Sequence, residues 1–426
     1  MCIAQIIAPK MVISRDRYLQ QLITSKGNGM VKIVTGIRRS GKSFLLLNLF
    51  HRHLLEGGVQ ENHIIELSMD NRRNRRLRNP DALLDFIDSK IQLDGQIHYV
   101  ILDEVQLIDD FVEVLLSLMQ DRRLDIYVSG SNSRFLSKDV VTEFRGRGDE
   151  IHLYPLSFSE YYSAVGGDKH DAWKDYYTYG GLPQILQFDS EEKKIDYLIN
   201  LYELTYLKDI IERNHLRNVV GLRTLVRVLA SNIGSSTNPK RISDTLRTSE
   251  KISIKESTIR DYIGYLQDAF IIEEALRYDV KGRKYIGTET KYYFADMGLR
   301  AAILNMRQQE ETHIMENVIY NELRMRSYRV DVGMVETWSI NADSKRMRQP
   351  LEIDFVVNKG AERIYIQSAY RMPTDEKVAQ EKRSLQNTSD SFRKIIIVGD
   401  DIKRKRDETG IITIGLIDFL LDPDSI

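Results

Sequence analysis

The 426-residue sequence predicts an α/β fold organised around a phosphate-binding sheet. Two segments lead to this prediction. Residues 32–47 have the pattern of a buried strand, a glycine-bounded loop and the start of a helix. Residues 98–104 have the pattern of an apolar strand that ends in Asp103 and Glu104. Ligands of open α/β sheets lie beyond the carboxyl ends of the strands, so both segments point to one edge of the sheet.

The loop of the first segment fits the G-x-x-x-x-G-K-[ST] pattern at every fixed position. Glycines let the backbone approach an anion closely, and the following helix presents its positive amino end to phosphates. The pattern predicts a nucleoside triphosphate site in which Lys42 reaches the β- and γ-phosphates and Ser43 binds Mg²⁺. The predicted binding residues are Gly36, Ile37, Arg38, Arg39, Ser40, Gly41, Lys42, Ser43 and Phe44.

The two acids at the end of the second segment follow the loop by about 60 residues. We expect Asp103 to join the Mg²⁺ shell and Glu104 to polarise an attacking water. A strand that ends in two acids is common on its own. Together with the phosphate loop, it predicts hydrolysis as well as binding.

Further polar residues follow another apolar strand at 124–129. In P-loop ATPases with an additional strand, a polar residue at this strand end lies near the γ-phosphate, so Ser131 or Asn132 is the expected sensor. A plain Gly-Ser turn is the alternative. Arg145 and Arg147 are candidates for an arginine finger that neutralises charge in the transition state, and a surface ion pair is the alternative.

Composition limits the classes of function. Hydrophobic residues make up 42% and charged residues 29%, which favours folded domains over disorder. The net charge of −1 gives no overall field that would attract DNA or membrane. Cys2 is the one cysteine, which excludes an internal disulfide and fits a reducing compartment. No apolar run of about 18 residues occurs, so a cytoplasmic protein is expected.

The densest positive segment is Arg72–Arg78, with arginines at five of its seven positions in addition to Asn74 and Leu77. It is the local candidate for contact with a phosphate backbone. A solvated surface loop is the alternative interpretation.

Several motifs occur in a fixed order along the chain: Thr-Gly-Ile-Arg-Arg-Ser-Gly-Lys-Ser, Ile-Leu-Asp-Glu-Val-Gln, Ser-Gly-Ser-Asn-Ser-Arg-Phe-Leu-Ser, Arg-Gly-Arg and Tyr-Pro-Leu-Ser-Phe-Ser-Glu-Tyr. They resemble a large bacterial and archaeal family of AAA-type ATPases, usually called ATP-binding proteins. The resemblance extends over essentially the whole chain and is most specific before about residue 215. It implies ATP as the nucleotide. It also implies an AAA-type P-loop NTPase sheet with a helical lid, then a winged-helix domain and a small α/β restriction-endonuclease-like domain.

The expected domains are 1–157 for the ATPase core, 158–214 for the lid, 215–298 for the winged helix and 299–426 for the nuclease-like domain. In a DNA-binding winged helix, the helix around Thr258 and Arg260 would enter the major groove and the loop 281–284 would touch phosphates. A winged helix that packs against protein is the alternative.

The resemblance also defines where nuclease chemistry would lie. In restriction-endonuclease-like folds, an Asp on one strand and an E-x-K motif on the next hold Mg²⁺ and activate water. Asp354 stands at the first position, and Glu316 lies where a helical acid often assists. The second motif is replaced by Gln367-Ser368-Ala369, and an amide is a poor Mg²⁺ ligand. Unless Lys377 supplies an ammonium, the domain is expected to be inactive.

The sequence therefore predicts a Mg²⁺-dependent ATPase that acts as a nucleotide-driven switch on DNA. The alternatives are an ATP-dependent DNA nuclease and a nucleotide-gated protein-interaction module. The expected partners are ATP, DNA through the winged helix, and a second copy or another protein, with no membrane contact.

Overall fold

The structure, a computed structural model, describes residues 12–131, 146–307, 310–340 and 346–426. The chain forms two compact units. The first consists of Met1–Pro155 and Asp268–Phe270, and the second of Leu156–Gln267 and Ile271–Ile426. The chain thus forms two compact units, whereas the sequence predicts four domains.

The first unit contains a five-stranded parallel sheet in the order β2-β3-β4-β1-β5. Its strands are β1 (Val31–Thr35), β2 (Ile64–Ser68), β3 (His98–Asp103), β4 (Leu124–Ser129) and β5 (Gly148–His152). The predicted α/β sheet is confirmed, and it has five parallel strands. Strand β4 lies between β1 and β3, which is the additional-strand arrangement.

Helices cover both faces of this sheet because parallel strands need crossover connections. Helix α1 is Asp16–Thr24, and α2 runs through Lys42–Phe44, a π-helical segment Leu45–Phe50, and His51–Glu56. Helices α3 (Pro80–Asp88) and α4 (Phe111–Leu118) follow, with 3₁₀ segments at Glu61–His63, Arg72–Arg78 and Val105–Leu107. One apolar cluster joins the sheet to α1 and α2, and another joins it to α3 and α4.

This topology places the predicted site. The phosphate loop leaves the carboxyl end of β1, and the two acids lie at and after the carboxyl end of β3. The strand between them, β4, ends at Ser129. All three strands run in the same direction, so their ends meet at one edge of the sheet.

The second unit begins with helices: α5 (Phe158–Val165), α6 (Lys169–Tyr179), a 3₁₀ turn (Pro183–Gln187), α7 (Glu191–Leu201, a π-helical Tyr202–Leu207, and Lys208–Arg213), α8 (Val219–Ser231), α9 (Pro239–Thr248) and α10 (Glu256–Asp268). Later helices are α11 (Met297–Ile303), α12 (Glu311–Met325), α13 (Asp375–Gln386) and α14 (Leu416–Leu421). Among the helices of the described ranges, none has both the length and the apolar character needed to cross a bilayer.

The second unit also holds an eight-stranded mixed sheet in the order β12-β13-β11-β10-β9-β8-β6-β7. Its strands are β6 (Ile272–Asp279), β7 (Lys284–Phe294), β8 (Arg329–Ile340), β9 (Arg346–Lys359), β10 (Glu362–Ala369), β11 (Arg393–Val398), β12 (Lys405–Arg406) and β13 (Ile412–Gly415).

The position of β6 and β7 differs from the sequence prediction. These strands form an antiparallel pair, as expected for a wing. However, β6 also pairs in parallel with β8, from Arg277 opposite Val332 to Asp279 opposite Met334. Strands on both sides of the predicted 298/299 boundary therefore belong to one sheet. The sequence pattern did not reveal this because β6 and β8 are separated by two helices along the chain.

Candidate functional site

The phosphate loop has a backbone shape that depends on glycine at its start. Gly36 has φ 136°, and a Cβ at this position would lie 2.2 Å from the carbonyl oxygen of Leu153. Arg39 and Gly41 also have positive φ, at 65° and 101°. Alternation of left-handed and right-handed residues turns successive N–H groups towards one side, which forms an anion-binding nest.

The Lys42 ammonium lies in this loop, although the residue is almost entirely buried. Its Nζ donates to the carbonyl oxygens of Gly36 and Ile37 at 2.9 and 3.0 Å. Burial lowers the pKa of Lys42 to about 8, against the opposing effect of Glu104 and Asp103. An ammonium with neutral partners in a desolvated site is a strong point of attraction for phosphate oxygens.

Ser43 and Asp103 are in direct contact, as the sequence predicts for two ligands of one metal. Ser43 Oγ donates to Asp103 Oδ1 at 3.0 Å. Ser129 Oγ, from the end of β4, also donates to Asp103 Oδ1. Burial raises the pKa of Asp103, and the hydrogen bonds from the two serines oppose this shift. The serines therefore help to keep the carboxylate ionised.

Glu104 directly follows β3 and adopts a left-handed conformation with φ 56°. Such a residue costs on the order of 1 kcal/mol and persists where its surroundings hold it. Here the Glu104 N–H donates to Ser129 Oγ at 3.1 Å. Its side-chain Oε2 accepts from Ser131 Oγ at 3.2 Å and from Gln106 Nε2. The carboxylate is thus oriented by two neighbours, one of which is a predicted sensor residue.

Two residues that sequence reasoning missed support this arrangement. One is Ser129, which connects Asp103 to the backbone of Glu104. The other is Arg15, just before α1, whose buried guanidinium donates to Ser40 O at 3.2 Å and to Tyr154 O at 2.7 Å. Ser129 could have been found as the last residue of a strand at the ligand edge, whereas nothing in the local sequence marks Arg15.

The residues present fit a nucleotide with Mg²⁺. Within the described ranges, the Ser40 hydroxyl of the loop is buried and lacks a hydrogen-bond partner, so it has a free donor at the nest. Ser43 and Asp103 supply hard oxygen ligands, and Mg²⁺ commonly takes only one or two protein ligands besides water and phosphate. No group of three or more His, Cys, Asp or Glu residues in the described part of the chain could hold a metal without such ligands.

The remaining predicted site residues are placed as follows. Asn132 and Arg145 lie outside the described residues. Arg147 is exposed and precedes β5, and its carbonyl accepts from the N–H of Val31 at the amino end of β1. It therefore lies at the opposite edge of the sheet from the phosphate loop of its own chain.

A second cluster of charges surrounds Lys291 in the eight-stranded sheet. The buried Lys291 Nζ lies 2.9 Å from Glu316 Oε1, 2.7 Å from Glu352 Oε1 and 3.9 Å from Asp354 Oδ1. Tyr293 OH also donates to Glu316 at 2.7 Å. Burial lowers the pKa of Lys291, but the carboxylates outweigh it and raise that pKa overall. Burial, together with Glu316, raises the pKa of Asp354 to about 8.

This cluster brings together Glu316 and Asp354, the two acids that the nuclease resemblance identified. The Lys291 ammonium of β7 bonds to Glu316 and lies 3.9 Å from Asp354, so a cation of the chain already neutralises these acids and they do not fit a Mg²⁺ centre. Lys377, the alternative source of an ammonium, instead pairs with Glu381 at 2.5 Å. Gln367 accepts from Ser384 Oγ at 3.3 Å. The arrangement is a buried ion cluster, and we derive no hydrolytic step from it.

Two family models match parts of the chain. Residues 28–162 match the family described as AAA domain, and residues 170–310 match a domain of unknown function (DUF8612). An uncharacterized protein of Haemophilus influenzae is 32% identical over 417 residues, 97% of this chain and 99% of that protein. An uncharacterized protein of Methanocaldococcus jannaschii is 25% identical over 378 residues, 85% of this chain and 78% of that protein.

Among solved structures, a Walker-type ATPase of Pyrococcus abyssi is similar, with 16% identity and a TM-score of 0.48. The similarity covers 70% of this chain and 99% of that chain. The matched AAA domain, the sheet order and the phosphate loop identify residues 28–162 as an AAA-type P-loop domain. On its near full-length identity, the chain belongs to the same family as the Haemophilus influenzae protein.

Proposed function

We propose that the protein binds ATP with Mg²⁺ and hydrolyses it, and that the change of nucleotide state acts as a switch on DNA. The observation that carries the proposal is the bonded series Ser43–Asp103–Ser129–Glu104 beside the phosphate loop. In this series Ser43 and Asp103 are in contact and a second carboxylate lies beside them, which supports the proposal because hydrolysis needs a metal-binding pair and a separate carboxylate.

Each residue has a distinct task in this proposal. Lys42 and the loop N–H groups bind the phosphates and align the γ-phosphate with a water. Ser43 and Asp103 would hold Mg²⁺, which supplies neutralising charge for the phosphate oxygens. Glu104, held by Ser131 and Gln106, accepts a hydrogen bond from the attacking water and orients it. Ser131 would thereby report on the γ-phosphate through Glu104.

The test is Mg²⁺-dependent release of phosphate from ATP by the purified full chain and by Glu104→Gln. The variant keeps the size of the side chain but loses its charge. We expect turnover to fall by about 10²-fold or more, the size expected for loss of a positioned base, while ATP affinity stays within a few-fold. Glu113→Gln is the matched control, since Glu113 is exposed on α4.

Two results would contradict the proposal. One is a wild-type chain without Mg²⁺-dependent ATPase activity. The other is a Glu104→Gln variant as active as Glu113→Gln, which would remove Glu104 from the reaction.

Arg147 is proposed to complete the site of a second copy, because it lies away from the loop of its own chain. We expect Arg147→Ala to lower turnover and leave ATP affinity unchanged. Arg145 remains a candidate for the same task. Turnover per chain that rises with protein concentration in the wild type, and not in Arg147→Ala, would support a role between copies.

A further inference from the structure

The segment Arg72–Arg78 carries the densest positive charge of the chain, and its structure separates two kinds of side chain. Leu77 is buried, and Arg78 donates through Nε and Nη2 to Met69 O at 2.9 and 2.6 Å. Asn74 Nδ2 donates to Ser68 O at 3.0 Å. Asn74, Leu77 and Arg78 thus attach the segment to the rest of the first unit.

The other four side chains point outward. Arg72, Arg73, Arg75 and Arg76 are all exposed. Within the described residues, their guanidinium groups take part in no ion pair or hydrogen bond. Four positive charges are therefore held close together on one short element, and no carboxylate in the described part of the chain pairs with them.

The 3₁₀ conformation arranges these charges in rows. With 3 residues per turn and a rise of about 2 Å per residue, side chains three positions apart lie above one another at about 6 Å. Arg72 and Arg75 form one row, and Arg73 and Arg76 form the other. The backbone is already ordered, so a ligand would pay little entropy to organise it.

The chemistry of this surface points to a phosphate backbone. Guanidinium groups bind phosphate oxygens in two-pronged contacts. The segment has no exposed apolar side chain that could enter a membrane interface, because Leu77 is buried. It also has no aromatic residue on which bases of a single strand could stack. With a membrane interface and stacked single strands excluded, we expect contacts to the backbone of a duplex that do not depend on base sequence.

The segment is also bonded to the residues of the nucleotide site. Met69, whose carbonyl Arg78 holds, donates its N–H to Asp103 O at 2.9 Å. Asp109 N–H donates to Arg78 O at 3.0 Å. These two bonds bracket residues 103–109, which include Glu104. A shift of the Asp103 or Asp109 backbone would therefore act on atoms that are bonded to the arginine segment.

We propose that Arg72, Arg73, Arg75 and Arg76 form a binding surface for the phosphate backbone of duplex DNA, and that its affinity for DNA depends on the nucleotide bound beside Asp103. The inference rests on the part of the proposed function that assigns DNA as the partner. Here the arginine surface, and not the predicted winged helix, is the site of DNA contact. By reciprocity of linkage, duplex DNA changes the affinity for ATP by the same factor.

The experiment measures fluorescence anisotropy of a labelled mixed-sequence duplex with the full chain over a range of salt concentrations. The variant is Arg72→Gln, Arg73→Gln, Arg75→Gln and Arg76→Gln combined. Each lost phosphate contact reduces the magnitude of the slope of log affinity against log salt by about 0.9. We therefore expect this magnitude to fall by about 3 to 4, and binding to be at least about tenfold weaker at low salt.

The matched control is Lys281→Gln, Arg283→Gln and Lys284→Gln combined, which removes charge from the exposed loop predicted as a wing. We expect this control to bind the duplex as the wild type does. A wild-type chain that does not bind duplex DNA, or binds single-stranded DNA or RNA more tightly, would overturn the proposal. So would a loss of binding in the loop control alone.

The nucleotide arm repeats the titration with ATP and Mg²⁺ on the Glu104→Gln background and without nucleotide. Affinity for the duplex should differ between the two conditions, and equal affinity would overturn the coupling. ATPase activity of the arginine variant without DNA should equal that of the wild type. An active ATPase with unaltered DNA binding in the arginine variant would refute this inference alone, whereas an inactive wild type would refute the proposed function.

Discussion

Two buried lysines of this protein lie beside carboxylates, yet their surroundings differ in a way that separates binding from structure. Lys42 bonds to two neutral carbonyl oxygens, and burial lowers its pKa to about 8. Lys291 bonds to carboxylates, and these raise its pKa. The Lys42 ammonium is stabilised when it binds an anionic ligand. The Lys291 ammonium already bonds to carboxylates of the chain itself.

This difference indicates which group of acids is available for chemistry. Asp103 and Glu104 accept hydrogen bonds from serines and an amide, which leave their charge uncompensated for Mg²⁺ and water. Glu316 and Glu352 share the charge of Lys291. The two groups of acids thus have different roles, depending on where the nearest ammonium bonds.

The largest expected effect is loss of stability in Lys291→Met. Removing one partner of a buried ion cluster leaves uncompensated charge and typically costs about 3–5 kcal/mol. Urea denaturation should show this loss in the free energy of unfolding. Lys208→Met, which breaks the exposed pair with Glu212, is the control and should cost less than about 1 kcal/mol.

Removing the acidic charges around Lys291 tests whether unpaired charge causes this loss of stability. Glu316→Gln and Asp354→Asn should restore much of the stability in the Lys291→Met background, because fewer buried charges then lack a partner. If Lys291→Met unfolds at the same urea concentration as the wild type, the description of Lys291 as an internal counter-ion is wrong.

The next effect is loss of activity in Lys42→Met. Removing a positioned cation that contacts the phosphates should lower ATP turnover by about 10²–10³-fold. The free energy of unfolding should change by about 1–3 kcal/mol, since two hydrogen bonds to carbonyls are lost. Activity and urea denaturation measured on the same preparation test both statements. A variant that is as unstable as Lys291→Met would remove the distinction between the two lysines.

A smaller effect is expected for Ser129→Ala. It removes the hydroxyl that bonds to both Asp103 and the Glu104 N–H. We expect about a tenfold fall in turnover, equal to about 1.4 kcal/mol, together with a higher Mg²⁺ concentration for half-maximal rate. Ser131→Ala, which within the described ranges loses the contact to Glu104, should lower turnover without changing the Mg²⁺ requirement. Equal Mg²⁺ titrations of the two variants would argue against a metal-positioning role for Ser129.

The smallest effect is a pH dependence of ATP affinity. In the free chain, Lys42 is charged below its pKa of about 8 and loses its proton above it. Bound phosphate favours the charged form of Lys42. The affinity for ATP should therefore be highest below pH 8 and fall by at most about tenfold per pH unit above it. Titration calorimetry in two buffers of different ionisation heat should detect proton uptake near pH 8. Lys291, with its raised pKa, should contribute nothing in this range.

The ATPase sheet and most of its site could be predicted because their determinants are short and consecutive. The loop residues 36–43 and the acids after β3 stand next to one another in sequence, and each strand has an apolar run of its own. Ser129 and Arg15 were missed because their partners lie on other segments of the chain.

Lys291 shows a further reason for failure. A charged residue in an apolar strand is a visible signal, but the carboxylates around Lys291 lie on α12 and β9, far from β7 along the chain. The local pattern therefore predicts only a strand of a wing. The replacement of the nuclease motif at Gln367 is visible in the sequence, whereas the contact between the Lys291 ammonium and Glu316 depends on the fold.

The guanidinium of Arg15 has a practical consequence for anyone who wishes to express the nucleotide-binding part alone. The AAA match begins at residue 28, but Arg15 bonds to Ser40 and Tyr154 from before that point. A fragment cut at the start of the match would leave two buried carbonyls without their donor and release the loop from the end of the sheet. The functional module thus begins earlier in the gene than the boundary that sequence similarity marks.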